Sequence, residues 1–289
     1  MAERQKVQPQ AAATRVAFPR KRGVTCRVCL ASLALLSLVV VLSACARASG
    51  GITVAGSTSV QPFAEMLSEE YMALHPDERI NVQGGGSSAG IEAARSGAAQ
   101  IGMSSRELKG DEKGLVRIEV ARDAIAVVVH PSNSVQDLTL EQVRGIFSGE
   151  ITDWSQVDGP QRRIVVVTRE EGSGTRGAFQ ELVMGEVDID PGALVQDSNG
   201  AVRQLVSSDP SAIGYISLGL VNHQVKAISI DGVLPTAENV IAGQYKIVRP
   251  FLFVLASPPQ GPAKAFIDYV LSPEGQESLA SEGLLGVEK

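Results

Sequence analysis

One unit recurs along the chain after residue 50: an apolar, strand-like run, then a turn rich in glycine and hydroxyl side chains, then an amphipathic helical stretch. It occurs at residues 51–74, again at 79–96, and again at 163–184. Strands that alternate with helices in this way favour a mostly parallel sheet with helices on both faces. The sequence therefore predicts an α/β fold.

Two longer apolar strands, around residues 124–130 and 250–256, bracket the middle of the chain. This layout is typical of a discontinuous protein whose chain crosses to a second lobe, returns, and finishes on the first. We predict that residues 51–129 and 251–289 form lobe 1 and residues 130–250 form lobe 2. A ligand is then expected in the cleft between the lobes.

The first 44 residues differ chemically from the rest. They hold seven of the 26 Lys and Arg residues but only one of the 32 acids, which leaves a net charge of −12 for residues 45–289. A basic stretch is followed by an uncharged run at residues 28–44, which ends on small residues. This order predicts an export signal over residues 1–44, followed by a short linker at 45–50.

The end of this run, LSAC at residues 42–45, resembles a bacterial lipobox, in which the cysteine becomes the lipid-modified first residue of the mature protein. The resemblance implies a lipid anchor on Cys45. An uncleaved transmembrane helix is the alternative, since seventeen residues are at the short end of what spans a bilayer. Either arrangement places the acidic part outside the cytoplasm.

Charge and cysteine content exclude several classes of protein. The acidic mature part offers no basic surface to offset phosphate repulsion, so nucleic acid is not an expected partner. All three cysteines, Cys26, Cys29 and Cys45, lie at or before residue 45, which excludes a disulfide scaffold and a Cys-based zinc fold. The histidines, His75, His130 and His223, have no metal-ligand spacing, so no metal or cofactor is predicted.

Three of the glycine-rich turns share one chemistry. They are GSTS at residues 56–59, GGSS at 85–88 and GSGT at 172–175, and each directly precedes a helix. Free N–H groups and the dipole at a helix start favour an anion, glycine lets the backbone approach closely, and hydroxyls add donors. Each turn alone could be a plain helix cap. Three of them at strand ends around one cleft predict an anion site.

The chain resembles the substrate-binding proteins of the phosphate-specific (Pst) ABC transporter. The matching stretches are GSTSVQP at 56–62, QGGGSSAG at 83–90, IGMSSR at 101–106, IFSGEITDW at 146–154, REEGSGT at 169–175 and AIGYIS at 212–217. In order and spacing they cover nearly all of the chain after residue 50. The resemblance implies a two-lobe, periplasmic-binding-protein-like (type II, flytrap) fold with a hinge of two crossing strands.

Carried over by position, the resemblance implies a set of phosphate ligands from both lobes. They are Thr58, Ser59, Ser87 and Ser105 from lobe 1, and Arg169, Ser173, Gly174 and Thr175 from lobe 2. In the family the arginine is the one cationic contact, and an acid two residues later, here Glu171, holds its guanidinium. A bidentate arginine suits the geometry of a tetrahedral oxyanion.

One position departs from many members of the family. They carry Asp where this chain has Ser105, and that carboxylate accepts the proton of hydrogen phosphate while it repels sulfate. A serine hydroxyl can accept the hydrogen bond but brings no repelling charge. Rejection of sulfate is therefore expected to depend on another group, for which Glu171 and a backbone carbonyl are both candidates.

Other residues have a simpler interpretation beside the functional one. Arg106 either strengthens the positive potential of the cleft or is a solvated residue at a helix start. The only tryptophan, Trp154, is expected to be packed, and residues 197–200 are expected to cap a helix.

The sequence thus predicts an exported lipoprotein, expected to be monomeric and not an enzyme. It would bind inorganic phosphate and deliver it to the membrane permease of an ABC transporter. The alternatives are another oxyanion such as sulfate or molybdate, a sensing role, a structural surface protein, and a hydrolase with Ser173 as nucleophile. The hydrolase lacks a GxSxG motif and a histidine near the turns.

Overall fold

The computed structural model describes residues 51–287, within a compact unit that spans Ser49–Lys289. The proposed signal peptide, the linker and Cys45 lie outside the described residues. The strands are β1 Ile52–Gly56, β2 Ile80–Gly84, β3 Ile101–Ser104, β4 Val116–Val129, β5 Asp137–Leu138, β6 Val165–Arg169, β7 Leu194–Gln196, β8 Ala212–Ser217, β9 Lys226–Ala227, β10 Ser229–Ile230 and β11 Val248–Leu255. The α-helices are α1 Gln61–Leu74, α2 Ser87–Ser96, α3 Leu140–Phe147, α4 Gly174–Phe179, α5 Asn199–Ser208, α6 Ala237–Ile241, α7 Gly261–Val270 and α8 Pro273–Ser281.

The main sheet consists of two parallel groups joined by two antiparallel strands. Its order is β2-β1-β3-β11-β4-β8-β6-β7, with β9 paired to β4. The groups β2-β1-β3 and β8-β6-β7 are parallel, whereas β11 and β4 run antiparallel to each other and to their outer neighbours. The two predicted long strands are therefore the ones that link the two halves of the sheet.

Strand β4 belongs to both halves. Its residues up to Ala124 pair with β11, and those from Ile125 pair with β8. The larger hydrophobic cores divide at the same place: one is built from residues 124–247, and the other from residues 52–121 and 251–284. The change of strand partner thus lies a few residues before residue 129, where the sequence predicted the end of the first part of lobe 1.

Local sequence explains the helices that follow the glycine-rich turns. Helix α1 has a proline in its first turn and buries Phe63, Leu67 and Tyr71 on one stripe, whereas Leu74, the last residue of the helix, is exposed. Helix α4 continues through residues 180–184 as a single π-helical turn.

None of the helices in residues 51–287 is long and apolar enough to cross a membrane.

Helix α2 packs directly on the backbone of β1 and β3 because it carries glycine at the point of contact. A Cβ added at Gly90 would lie 2.4 Å from the carbonyl oxygen of Ala55 and 2.5 Å from Cα of Gly56. This close approach brings the start of α2 beside the carboxyl ends of β1 and β3.

We expect Gly90→Ala to destabilise the fold by about 1–3 kcal/mol, because the methyl group must push α2 away from the sheet. The free energy of unfolding, from urea titration followed by circular dichroism, measures this effect. Gly114→Ala is the control, since a Cβ at Gly114 meets no atom within 4 Å. Equal stability of the two variants would contradict the packing argument.

Candidate functional site

The three glycine-rich turns meet at the carboxyl ends of the parallel strands of both lobes. Three contacts join the lobes there. Oγ of Ser59 lies 2.8 Å from Oγ1 of Thr175, Nη2 of Arg169 donates to Oγ1 of Thr58 at 3.1 Å, and the amide of Ser88 donates to the carbonyl of Gly172 at 3.1 Å. The structure thus brings the first and second turns of lobe 1 against the third turn, which belongs to lobe 2.

A buried cluster of serine hydroxyls lines the lobe 1 side. Ser57 Oγ donates to Ser105 Oγ at 2.8 Å, and the Ser105 amide donates to Ser87 Oγ at 3.0 Å. The hydroxyls of Ser87 and Ser105 are 3.4 Å apart. Ser105, which follows β3, therefore lies beside Ser87, and it joins a network of neutral hydroxyl groups.

Arg169 is the cation that lobe 2 brings to this cluster. It is the last residue of β6, and only 1% of its surface is exposed. Besides its bond to Thr58, Nη2 donates to the carbonyl of Asp197 at 3.0 Å, and Nε donates to that of Gln196 at 3.2 Å. Nη1 is buried without a hydrogen-bond partner; among the side chains of residues 51–287 only Nδ2 of Asn133 shares this condition. A buried cationic donor without a partner is costly, and an anion in the cleft would satisfy it.

The acid that holds the guanidinium of Arg169 is Glu170, so the prediction that Glu171 holds it is wrong. Glu170 accepts from Nε and Nη2 of Arg169, both at 3.0 Å. The amide of Ser173 donates to the carbonyl of Glu170 and closes a tight turn in which Glu171 is the exposed second residue. The turn directs Glu171 into solvent, so it also cannot serve as the proton acceptor considered for it.

Helix starts add main-chain donors to the site. Ser87 is the first residue of α2, and Gly174 and Thr175 are the first two of α4, so their amides have no carbonyl acceptor within the helix. The Ser173 side chain caps α4 by accepting from the Arg176 amide at 3.3 Å. These amides and the dipole of each helix favour negative charge.

Gly174 sits where the lobes are closest. A Cβ at this position would lie 2.2 Å from Oγ of Ser87 and 2.5 Å from Oγ of Ser105. Its backbone does not have a positive φ, so the requirement for glycine here is steric. The absence of a side chain lets the start of α4 reach the serine cluster of lobe 1.

Sequence reasoning missed a second buried arginine. Arg249 of β11 lies opposite Asp123 of β4 in the antiparallel register, and its Nε and Nη2 donate to Oδ2 of Asp123 at 3.0 and 2.9 Å. Burial raises the pKa of the Asp123 carboxyl, and the guanidinium of Arg249 counters this rise. Nη2 of Arg249 also donates to Ser59 Oγ at 3.1 Å. The available clue was that each of these two charged residues directly precedes one of the long apolar runs, at residues 124–130 and 250–256.

Asn199 was also missed. Residues 197–200 were expected to cap a helix, and Ser198 does so by accepting from the Ala201 amide at 3.1 Å. The next residue, Asn199, is buried and donates from Nδ2 to Ser59 Oγ at 2.9 Å. The segment therefore caps α5 and also reaches the first turn of lobe 1.

The remaining candidates have structural roles. Arg106 is paired with Glu112 at 2.7 Å and donates to Ser88 Oγ at 3.2 Å, so its charge is neutralised beside the cleft rather than solvated. Trp154 is fully buried, as expected for a packed residue, and donates to the carbonyl of Ser211. Within residues 51–287, no group of three His, Cys, Asp or Glu side chains is arranged to hold a metal ion.

The sequence and the fold match known proteins over most of the chain. Residues 43–274 match a family model described as a PBP superfamily domain. The phosphate-binding protein PstS of Bacillus subtilis (strain 168) is 35% identical over 241 residues, which cover 82% of this chain and 80% of that protein.

Two solved structures extend the comparison. One, from Clostridium perfringens, is assigned as a phosphate ABC transporter substrate-binding protein with bound phosphate; it has a TM-score of 0.80, 44% identity, and coverage of 83% of this chain and 100% of that one. An ABC-type phosphate transport receptor from Vibrio cholerae has a TM-score of 0.69 and 39% identity, over 82% of this chain and 100% of that one. The predicted periplasmic-binding-protein-like fold class is confirmed. The chain belongs to the PBP superfamily and, within it, to the family of the PstS phosphate-binding proteins.

Proposed function

We propose that this protein binds inorganic phosphate in the cleft between its lobes and delivers it to the membrane permease of an ABC transporter. The observation that carries the proposal is the buried Nη1 of Arg169, which has no partner beside a cluster of serine and threonine hydroxyls. Relatives described as phosphate-binding and phosphate-transport proteins support the choice of anion.

The proposed ligand groups come from both lobes, so binding and closure are linked. Thr58, Ser87 and Ser105 belong to lobe 1, whereas Arg169, Ser173, Gly174 and Thr175 belong to lobe 2. Only the closed arrangement places all of these groups around one anion. Phosphate therefore shifts the population toward the closed state by its greater affinity for that state.

Local dipoles rather than overall charge account for binding. Residues 45–289 carry a net charge of −12, so the field of the whole protein disfavours a dianion. In the cleft, helix-start amides, hydroxyls and the partly satisfied Arg169 act at short range, where solvent screens them little. A single enclosed phosphate is thus compatible with an acidic protein.

Binding without catalysis fits the surroundings of Ser173. Its Oγ accepts a hydrogen bond from the Arg176 amide. No histidine or carboxylate in the described part of the chain hydrogen-bonds to this hydroxyl, so it has no general base to activate it as a nucleophile. We infer that the protein is a carrier and not a hydrolase.

We further propose that residues 1–44 are a signal peptide and that Cys45 carries a lipid that holds the protein, as a monomer, on the outer side of the cell membrane. The basic stretch, the apolar run and the LSAC sequence support this.

We propose lobe boundaries near residues 129 and 251, which the two separate hydrophobic cores support.

Titration calorimetry with phosphate, sulfate and molybdate tests the function. We expect phosphate to bind most tightly of the three anions. Arg169→Ala should weaken phosphate binding at least about tenfold, because the hydrogen bond from the buried guanidinium to the anion is lost. Arg203→Ala is the control, since Arg203 is partly buried and donates to the carbonyl of Leu220, away from the turns. Tighter binding of sulfate would reject phosphate as the ligand, and unchanged affinity in Arg169→Ala would remove this residue from the site.

Gly174→Ala tests closure. Its methyl group would collide with Ser87 and Ser105 only when the lobes meet. We expect phosphate binding to weaken about tenfold or more, since overpacking costs about 1–3 kcal/mol, with little change in the unfolding midpoint of the ligand-free protein. Gly200→Ala changes another glycine in the first turn of a helix, where a Cβ would be 3.9 Å from its nearest neighbour, and should bind as wild type does. Wild-type affinity in Gly174→Ala would refute the closure model.

Labelled palmitate tests the lipid anchor. In full-length protein expressed in a bacterial host, Cys45→Ser should abolish incorporation of the label, because Cys45 is the proposed acceptor thiol. Cys29→Ser should keep it, since Cys29 lies inside the proposed signal peptide. An unlabelled wild type, or a labelled Cys45→Ser variant, would show that Cys45 is not lipid-modified.

A further inference from the structure

The hydroxyl of Ser59 is the meeting point of both lobes and the crossing strands. Its Oγ is 2.9 Å from Nδ2 of Asn199, 3.1 Å from Nη2 of Arg249 and 2.8 Å from Oγ1 of Thr175. Asn199 and Thr175 belong to lobe 2, and Arg249 lies on β11. All these side chains are buried, so water does not compete for the hydroxyl.

Two of these three neighbours are fixed donors. Arg249 has no acceptor atom, and Asn199 is oriented because its Oδ1 accepts from the Ser217 amide at 3.2 Å, which turns Nδ2 toward Ser59. A serine hydroxyl has two lone pairs and one proton. With both lone pairs occupied, the proton of Ser59 must be donated to Oγ1 of Thr175.

The direction of this bond determines what Thr175 can do. Thr175 Oγ1 accepts from Ser59, so its own proton is free to be donated. It has no other hydrogen-bond partner in the described structure. Ser59, in contrast, has no hydrogen-bonding capacity left in its side chain, and its amide donates to Ser57 Oγ at 3.2 Å, so in this arrangement it supports the site through Thr175.

The position of Arg249 is in turn fixed by Asp123. The Oδ2 of Asp123 accepts from two nitrogens of Arg249, and its Oδ1 accepts from Ser217 Oγ at 2.8 Å. The side chains of this pair are 0–1% exposed. Asp123 lies two residues before Ile125, at which β4 changes its partner from β11 to β8. The pair therefore links the crossing strands to the contact between the lobes.

We propose that the Asp123–Arg249 pair is a positioning element for phosphate binding: by holding Arg249 against Ser59, it fixes the direction of the Ser59–Thr175 hydrogen bond and leaves the Thr175 proton for the anion. This inference rests on the proposed function, and it adds residues that do not touch the anion. Arg249 is thus a positioning residue, whereas Arg169 is the proposed cationic ligand.

A double-mutant cycle tests the inference. Asp123→Leu with Arg249→Met removes both charges together and should leave stability equal or greater, because a buried ion pair can be replaced by apolar groups without loss. We expect this paired change to weaken phosphate binding about fivefold in the wild-type background, the equivalent of one net hydrogen bond. In Thr175→Val, which has no hydroxyl to orient, the same paired change should have less than about a twofold effect.

The cycle separates positioning from a merely structural role. Neither Asp123 nor Arg249 hydrogen-bonds to Thr175, so a structural pair would give additive effects on the dissociation constant. Glu119→Leu with Arg122→Met removes another ion pair of β4, whose side chains are 19% and 61% exposed, and should not change binding. If the Asp123→Leu and Arg249→Met protein does not fold, Arg249→Lys enters the same cycle, since one ammonium keeps the charge beside Asp123 but lacks the guanidinium fork.

Phosphate, arsenate, sulfate and molybdate are titrated in every arm, so the two proposals can fail separately. If the wild-type protein binds another of these four ions more tightly than phosphate, that ion replaces phosphate as the proposed ligand, and the cycle is evaluated with its dissociation constants. Additive effects, or unchanged affinity after the paired change, overturn the inference while phosphate binding stands. A wild type that binds none of the four overturns both.

Discussion

The antiparallel pairing of β4 with β11 is the constraint on which the rest of the structure depends. These strands join two parallel groups, so the carboxyl ends of β1, β2 and β3 lie across a cleft from that of β6. Glycine-rich turns follow β1, β2 and β6, and each leads into a helix start. If the two parallel groups were not linked by this central pair, the turns would not face one another, and the donors of each would be a solvated helix cap.

Three arginines near the cleft each have their own carboxylate. Arg169 is paired with Glu170, Arg249 with Asp123 and Arg106 with Glu112. The pairs keep the buried charges balanced, which limits the cost of desolvation. They also mean that an incoming anion meets directed N–H and O–H groups rather than a strong positive field. The fold must therefore maintain the positions and directions of the donors rather than the amount of positive charge.

The sequence was sufficient for the turns and for the two long strands, because these follow from local patterns of glycine, hydroxyl and apolar residues, whereas Arg169 was indicated only by the resemblance to a known family. It was insufficient where the answer depends on tertiary register. Asp123 and Arg249 are 126 residues apart and meet only because their strands align. The choice between Glu170 and Glu171 depends on the turn closed by Ser173, which the neighbouring acids do not specify.

The donor or acceptor role of each hydroxyl is likewise a property of the network. Ser59 becomes a donor toward Thr175 because Asn199 and Arg249 occupy its lone pairs. Ser105 accepts from Ser57 and lies 3.4 Å from the Ser87 hydroxyl, so it retains one lone pair when its own proton is donated to Ser87. That lone pair is neutral, and it can accept the proton of hydrogen phosphate without the repulsion a carboxylate would exert on sulfate. Selectivity at such a position is then limited to the difference of about one hydrogen bond, and a backbone carbonyl stays the candidate for the remaining discrimination against sulfate, because Glu171 is exposed.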